Sequence, residues 1–306
     1  MLLVAPIKGV TLKELVRRTL ASIQVDNTRK GYDYALRRFV KSGQPLTRAG
    51  LVDHVATLKK PSIRMVAIMS VRRLAHEAAL AGYISEDEER RIREFKVPAP
   101  AQTRLGHWLS LEGCQKLLQL PNRATLSGAR DLALFALLLG CGLRRREAVM
   151  VTWEQYQIRE GRAVLVDIYG KGGKIRSVPV PEWGRVAIEH WRDLLIMRLN
   201  ALGWELDSSE EGPILRSGKW VNPVHPLCVD SVTTVTKKYA KVMGIRFTPH
   251  DLRRTVAQLM RKAGAPIEQI QFTLGHSGVK TTERYLGGGI ELAAGKAAVD
   301  LIEWDK

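Results

Sequence analysis

Thr248–Leu286 reads TPHDLRRTVAQLMRKAGAPIEQIQFTLGHSGVKTTERYL and carries the densest chemistry in the chain. Apolar spacing predicts a helix over 251–262, stopped by Gly264 and Pro266. A second short helix follows over 266–274, with Ile267, Ile270 and Leu274 on one side and Gly275 ending it. His276 then falls on a turn. Thr281 or Thr282 is placed to cap a third short helix that carries Tyr285. His250 and Arg253 are three apart and share a helix face. Together they offer one phosphodiester a charged fork and a proton-carrying imidazole. Tyr285 alone reads equally well as an amphipathic packing residue and as a reactive phenol.

The run HDLR followed by LGHSGVKTTERY resembles the C-terminal signature of the tyrosine recombinases, the phage-integrase and Xer-like family. In that family an arginine, a lysine, an HxxR pair, a histidine or tryptophan and a tyrosine act on one phosphodiester. Working upstream, GCGLRRRE at 140–147 taken alone is a basic helix end after a glycine turn. Against the family pattern TGLRxxE it implies Arg144 as the first catalytic arginine. Glu147 would support it by pairing with a nearby cation. Cys141 stands where the family commonly has threonine. Residues 163–169 and 175–180 read as two strands joined by the glycine-rich loop GKGGK at 170–174. That loop lacks the GxxxxGK[ST] spacing of a nucleotide-binding loop. GKGGKIRSVPVP is close to the family's GKGxKxRxVPLP, which implies Lys171 as the catalytic lysine and Lys174 as its possible substitute. The resemblance runs from about Thr11 to Tyr285 and departs from the pattern at no catalytic position. Arg254 replaces a frequent histidine, and Gly278 a frequent serine.

The chain has 306 residues, enough for two domains with cores of their own, and a formal net charge of +17. Such an excess points to a polyanionic partner, most simply nucleic acid, although charge alone is not specific. The excess is densest toward the N-terminus, where 20 basic and 10 acidic residues fall within positions 1–106. A capping box of Thr11 and Glu14 opens a first helix, and others are expected over 26–41, 47–58, 62–81 and 85–95, with Pro61 breaking the third. The second shows Arg29, Lys30, Arg37 and Arg38 on its outer face. These are solvated surface by default. The match of TRKGYDYALRRFV to the family's TxxxYxxxLxxF segment implies DNA-backbone contact instead.

The expected organisation is a helical core-binding domain over 1–95, a linker over 96–106 marked by two prolines, and a catalytic domain over 107–306. The catalytic domain holds an apolar helix over 129–140 and ends in an amphipathic helix over 290–304. The fold class is thus mainly α with a small antiparallel β-sheet. Cys114, Cys141 and Cys228 show no metal or disulfide spacing, and no apolar run is long enough to span a bilayer. A soluble cytoplasmic, nucleoid-associated protein is expected, without cofactor or metal.

The resemblance implies site-specific recombination through a 3′-phosphotyrosyl intermediate, with inverted half-sites in double-stranded DNA, a dimer per site and a tetramer in synapsis. Two alternatives stay open: relaxation of DNA in the manner of a type IB topoisomerase, and a non-catalytic DNA-binding protein of the same fold. A tyrosine hydroxyl costs roughly 4 kcal/mol to ionise at neutral pH. His250 as general base and the field of Arg144 and Arg253 would offset that cost, with His276 adding a hydrogen bond and Lys171 protonating the leaving 5′ oxygen.

Overall fold

Caps and breakers in the sequence set the helix boundaries. The computed structural model describes residues 11–96, 107–170, 173–201, 212–217, 226–276 and 278–286. The chain divides into two compact units, 1–101 and 102–306. The expected linker beyond Lys96, the hairpin tip at Lys171 and the helix over 290–304 lie outside the described residues.

The N-terminal unit consists of α1 (Leu12–Ala21), α2 (Asp26–Lys41), α3 (Arg48–Ala56), α4 (Pro61–Leu80) and α5 (Glu86–Glu94). Thr11 caps α1 by accepting the Glu14 N–H at 3.2 Å. The Glu14 carboxylate turns to Arg17 and Arg18 rather than back to the cap, so only half of the expected box forms. Pro61 begins α4 as well as ending what precedes it, because a first-turn residue needs no N–H. Leu15, Leu36, Phe39, Leu51, Leu74 and Ile92 meet in the core. Arg29, Lys30, Arg37 and Arg38 are exposed on α2. Arg29 pairs with Asp26 at 2.6 Å and Arg37 with Asp33 at 2.7 Å.

The C-terminal unit is built on an apolar rod. After α6 (Leu111–Gln119), α7 (Leu126–Phe135) runs into a π-helical turn, Ala136–Gly140, and every residue from 131 to 140 is buried. The helix starts at Leu126 rather than Ala129 because Thr125 caps it, accepting the Gly128 N–H at 3.1 Å. The one carboxylate on this rod, Asp131, takes hydrogen bonds from Arg130 (2.8 Å) and the Tyr239 hydroxyl (3.0 Å). Then come α8 (Arg145–Met150), β1 (Tyr156–Arg159), β2 (Arg162–Tyr169) and β3 (Ile175–Pro179), an antiparallel sheet in the order β1-β2-β3. The third strand, β1, was not expected. β2 and β3 pair Leu165 with Val178 and Tyr169 with Ile175, and the Gly170 N–H to the Lys174 carbonyl (2.7 Å) closes the loop. The remaining elements are α9 (Glu182–Asn200), α10 (Val229–Val242), α11 (Pro249–Lys262), α12 (Ile267–Leu274) and α13 (Val279–Leu286). The π turn packs on α9 and α11, and α11 also carries α12 and α13.

Candidate active site

Helix α11 begins with a complete capping box. Thr248 Oγ1 accepts the Asp251 N–H at 3.3 Å, the Asp251 carboxylate accepts the Thr248 N–H at 2.9 Å, and Pro249 occupies the first turn. His250 therefore sits at the start of α11, and His250, Arg254, Gln258 and Arg261 follow at helical spacing along one face. Along that face lies α13. Gln258 donates to the Tyr285 carbonyl (3.1 Å) and the Leu286 carbonyl (3.2 Å), and Arg261 to the latter at 3.1 Å. Through these carbonyls α11 fixes the described end of α13 that carries Tyr285.

The Tyr285 hydroxyl lies 2.7 Å from His250 Nε2. Its ring meets His250 edge-on at 5.1 Å and His276 at 4.7 Å between centroids, and the Arg254 guanidinium carbon sits 5.2 Å over its face. His276 follows Gly275, which ends α12 in the left-handed conformation at φ 58°. Neither Thr281 nor Thr282 caps α13, contrary to the expectation from sequence; both lie inside that helix, and Thr282 is buried with Oγ1 2.9 Å from His276 Nδ1.

Arg144 stands just ahead of α8. Glu147 accepts its backbone N–H at 2.8 Å and its Nη1 at 2.6 Å, while Nη2 donates to the Gly275 carbonyl at 2.9 Å. The cation that completes the Glu147 site is Arg176 on β3, 2.7 Å from Oε2, with its Nε donating to the Thr273 carbonyl at 3.0 Å. One buried carboxylate thus ties together α8, β3 and, through their arginines, the end of α12. Burial works to raise the Glu147 carboxyl, but the Arg176 and Arg144 guanidinia outweigh it and hold it at about 2.

Arg253 departs from the outward-facing fork expected of it. It is 1 % exposed and donates through Nη1 to the Gly142 carbonyl and through Nη2 to the Leu274 carbonyl. Gly142 has φ 62°, and a Cβ there would approach Leu274 to 2.9 Å, so a glycine is needed for this turn to close over Arg253. Burial, with Arg144 alongside, pulls the Arg253 pKa down to about 9, which leaves it charged at neutral pH. Burial together with Arg253, Arg144 and Arg176 pushes His276 down to about 3, so its ring is neutral. His250 also falls below the ordinary 6.5, through the protein packed around it and then Arg254, Arg253 and Arg144, against the pull of Asp251.

Arg144, Glu147, His250, Arg253, His276 and Tyr285 come together in one cluster. Lys171 lies outside the described residues; the neighbouring Gly170 is at the cluster's edge, since a Cβ there would be 3.6 Å from Arg144 Nη1. Lys174 is exposed. Arg176 and Gln258 were not singled out from the sequence, and Thr282 only as a helix cap. For Arg176 a signal existed, because it alternates with Val178 on the inward row of β3, where a charge demands a partner. Among the described residues no group of three or more His, Cys, Asp or Glu could hold a metal ion, and no helix is long and apolar enough to cross a membrane.

The phage integrase family model matches residues 107–287. Similar curated proteins include tyrosine recombinase XerD of Shewanella oneidensis, 32% identical over 277 residues that span 85% of each chain. Tyrosine recombinase XerA of Thermococcus onnurineus is 29% identical over 262 residues, 85% of this chain and 84% of that one. Among solved structures, the XerH site-specific recombinase bound to difH substrate is similar with a TM-score of 0.67 at 15% identity, over 91% of this chain and 81% of that one. The Tn1549 transposon integrase in complex with circular intermediate DNA gives 0.66 at 15% identity, over 92% and 97%. These structural likenesses speak for the fold. With the family model matching well over half of the chain, and the XerD relative similar along most of its length, the chain belongs to the phage integrase family of tyrosine recombinases.

Proposed function

We propose that the chain is a site-specific DNA recombinase that cuts and rejoins strands through Tyr285. The observation that carries this is the phenol held 2.7 Å from His250 Nε2 beside a cluster of guanidinia. His250 takes the phenolic proton as Tyr285 Oη attacks phosphorus and the bond to the 5′ oxygen breaks. Lys171 is the candidate donor of the proton that leaves with that oxygen. The product is a 3′-phosphotyrosyl link and a free 5′ hydroxyl, and attack by a 5′ hydroxyl reverses both changes. Arg144, the more accessible arginine, and His276 would meet the charge growing on the non-bridging oxygens. Arg253 still has hydrogens beyond the two given to carbonyls, and its charge adds to the same field.

The remaining assignments follow from this reading. Residues 1–95 would grip the duplex backbone, with Arg29, Lys30, Arg37 and Arg38 among the contacts, 96–106 would be the linker, and 107–306 would perform the chemistry. The partner is double-stranded DNA with inverted half-sites, bound by a dimer per site and a tetramer in synapsis. The net charge of +17 supports a polyanionic partner.

The test is a nicked suicide substrate, on which the wild-type protein is expected to accumulate a covalent protein–DNA adduct. DNA binding without adduct would make this a non-catalytic member of the fold. Footprints on one half-site only, with relaxation of supercoiled DNA by a monomer, would indicate a topoisomerase.

The pH dependence tests His250 separately. A base must be neutral to accept a proton, and its pKa lies below 6.5. The rate of adduct formation is therefore expected to stay level through neutral pH and to fall only on the acid side, with a midpoint below 6.5. A rate with no acid-side fall at all, in single-turnover assays, excludes His250 as the base.

A further inference from the structure

Thr282 breaks a pattern kept by three other buried helical threonines. Thr19, Thr236 and Thr255 each give the hydroxyl proton to the carbonyl four residues back, at 2.8, 2.7 and 2.9 Å. For Thr282 that carbonyl belongs to Gly278, and the hydroxyl turns to His276 instead. Thr282 is 0 % exposed, and its side chain has one hydrogen-bond partner among the described residues, His276 Nδ1 at 2.9 Å. A buried hydroxyl proton left without an acceptor costs about 1–3 kcal/mol. Among the described residues the acceptor is therefore the imidazole.

The ring, for its part, holds a single proton. His276 is 5 % exposed and faces the charges of Arg253, Arg144 and Arg176, which disfavour an imidazolium. If the proton were on Nδ1, the threonine hydrogen would be orphaned and Nε2 would present a lone pair, which repels an anionic oxygen. With the proton on Nε2 both problems disappear.

We propose that Thr282 is a positioning residue whose hydroxyl donates to Nδ1 of His276, fixing the ring proton on Nε2 and keeping that nitrogen a hydrogen-bond donor to a non-bridging phosphate oxygen. This rests on the recombinase reading of the site. It assigns α13 two tasks, since the helix that carries the nucleophile also sets the tautomer of the group beside it.

The first measurement is long-range proton–nitrogen NMR on the histidine-labelled full chain, with His276 assigned by difference against His276→Asn. The Nε2–H tautomer is expected, and an Nδ1–H tautomer overturns the proposal whatever any variant does. The second is kinetic. Thr282→Val, close in shape but without the hydroxyl, is expected to slow adduct formation about 10- to 100-fold while DNA affinity changes less than about twofold. Thr282→Ser, which restores the donor, is expected to stay within about threefold of wild type. A serine variant as slow as the valine one, or a valine variant at the wild-type rate, also overturns it. If wild type traps no adduct, the recombinase reading fails; an Nδ1–H tautomer in an adduct-forming wild type removes only the role of Thr282.

Discussion

Tyr285→Phe is expected to bind duplex DNA as tightly as the wild type and to form no covalent adduct with it. The phenyl ring keeps its edge contacts with His250 and His276 and its place beneath Arg254, so the packing of α13 on α11 is retained. The lost hydroxyl made its hydrogen bond to His250 at an exposed position, and such a bond contributes about 1 kcal/mol or less. The loss in rate should be far larger. Removing the nucleophile from a covalent enzyme costs on the order of 10⁶. The comparison is made on the nicked suicide substrate, with DNA affinity and Tm measured in parallel. Adduct surviving in the phenylalanine variant removes Tyr285 from the role of nucleophile.

Glu147→Gln should strongly destabilise the catalytic unit. The Glu147 side chain is 5 % exposed and lies 2.6 Å from Arg144, 2.7 Å from Arg176 and 4.0 Å from Arg253. Glutamine keeps the shape but leaves three crowded guanidinia without their counter-charge, and breaking a buried pair in this way costs about 3 kcal/mol or more. For a unit of this size that is a fall of roughly 6–12 °C in Tm. Loss of the clamp on Arg144 should also slow adduct formation by roughly 100-fold. The acid limb of stability tests the same pair independently. The folded carboxyl titrates at about 2 against an ordinary 4.5, so its contribution, about 3 kcal/mol, is complete above pH 4.5 and is lost as the pH falls toward 2. The glutamine variant should lack that component of the acid transition. A Tm within 2 °C of wild type would show that the carboxylate does not hold the cluster together.

Much of the fold was legible because local signals were unambiguous. Thr47 and Ser85 each cap the helix expected to begin there, and Gly275 ends α12 as expected. The glycine-rich loop at 170–174 did join two antiparallel strands. β1 was missed because YQIR alternates over only four residues, too short a run to stand out, and its burial does not follow the alternation; the strand exists through its pairing with β2. The start of α7 was placed late because periodicity marks where apolar residues begin, whereas Thr125 defines where the first turn begins.

Sequence by itself, through its resemblance to the tyrosine recombinases, singled out the candidate groups and their order: Arg144, Glu147, Lys171, His250, Arg253, His276 and Tyr285. It could not say which way those groups turn. Arg253 points inward because the carbonyls of Gly142 and Leu274, far apart along the chain, both need donors at one buried place. Arg176 joins the site because Glu147 needs a second cation there, and Thr282 faces His276 because α12 and α13 pack against each other. Hydrogen bonds and ion pairs between distant segments have no period to read. They exist only once the chain has folded, when burial makes every unsatisfied donor and charge costly enough to choose its partner.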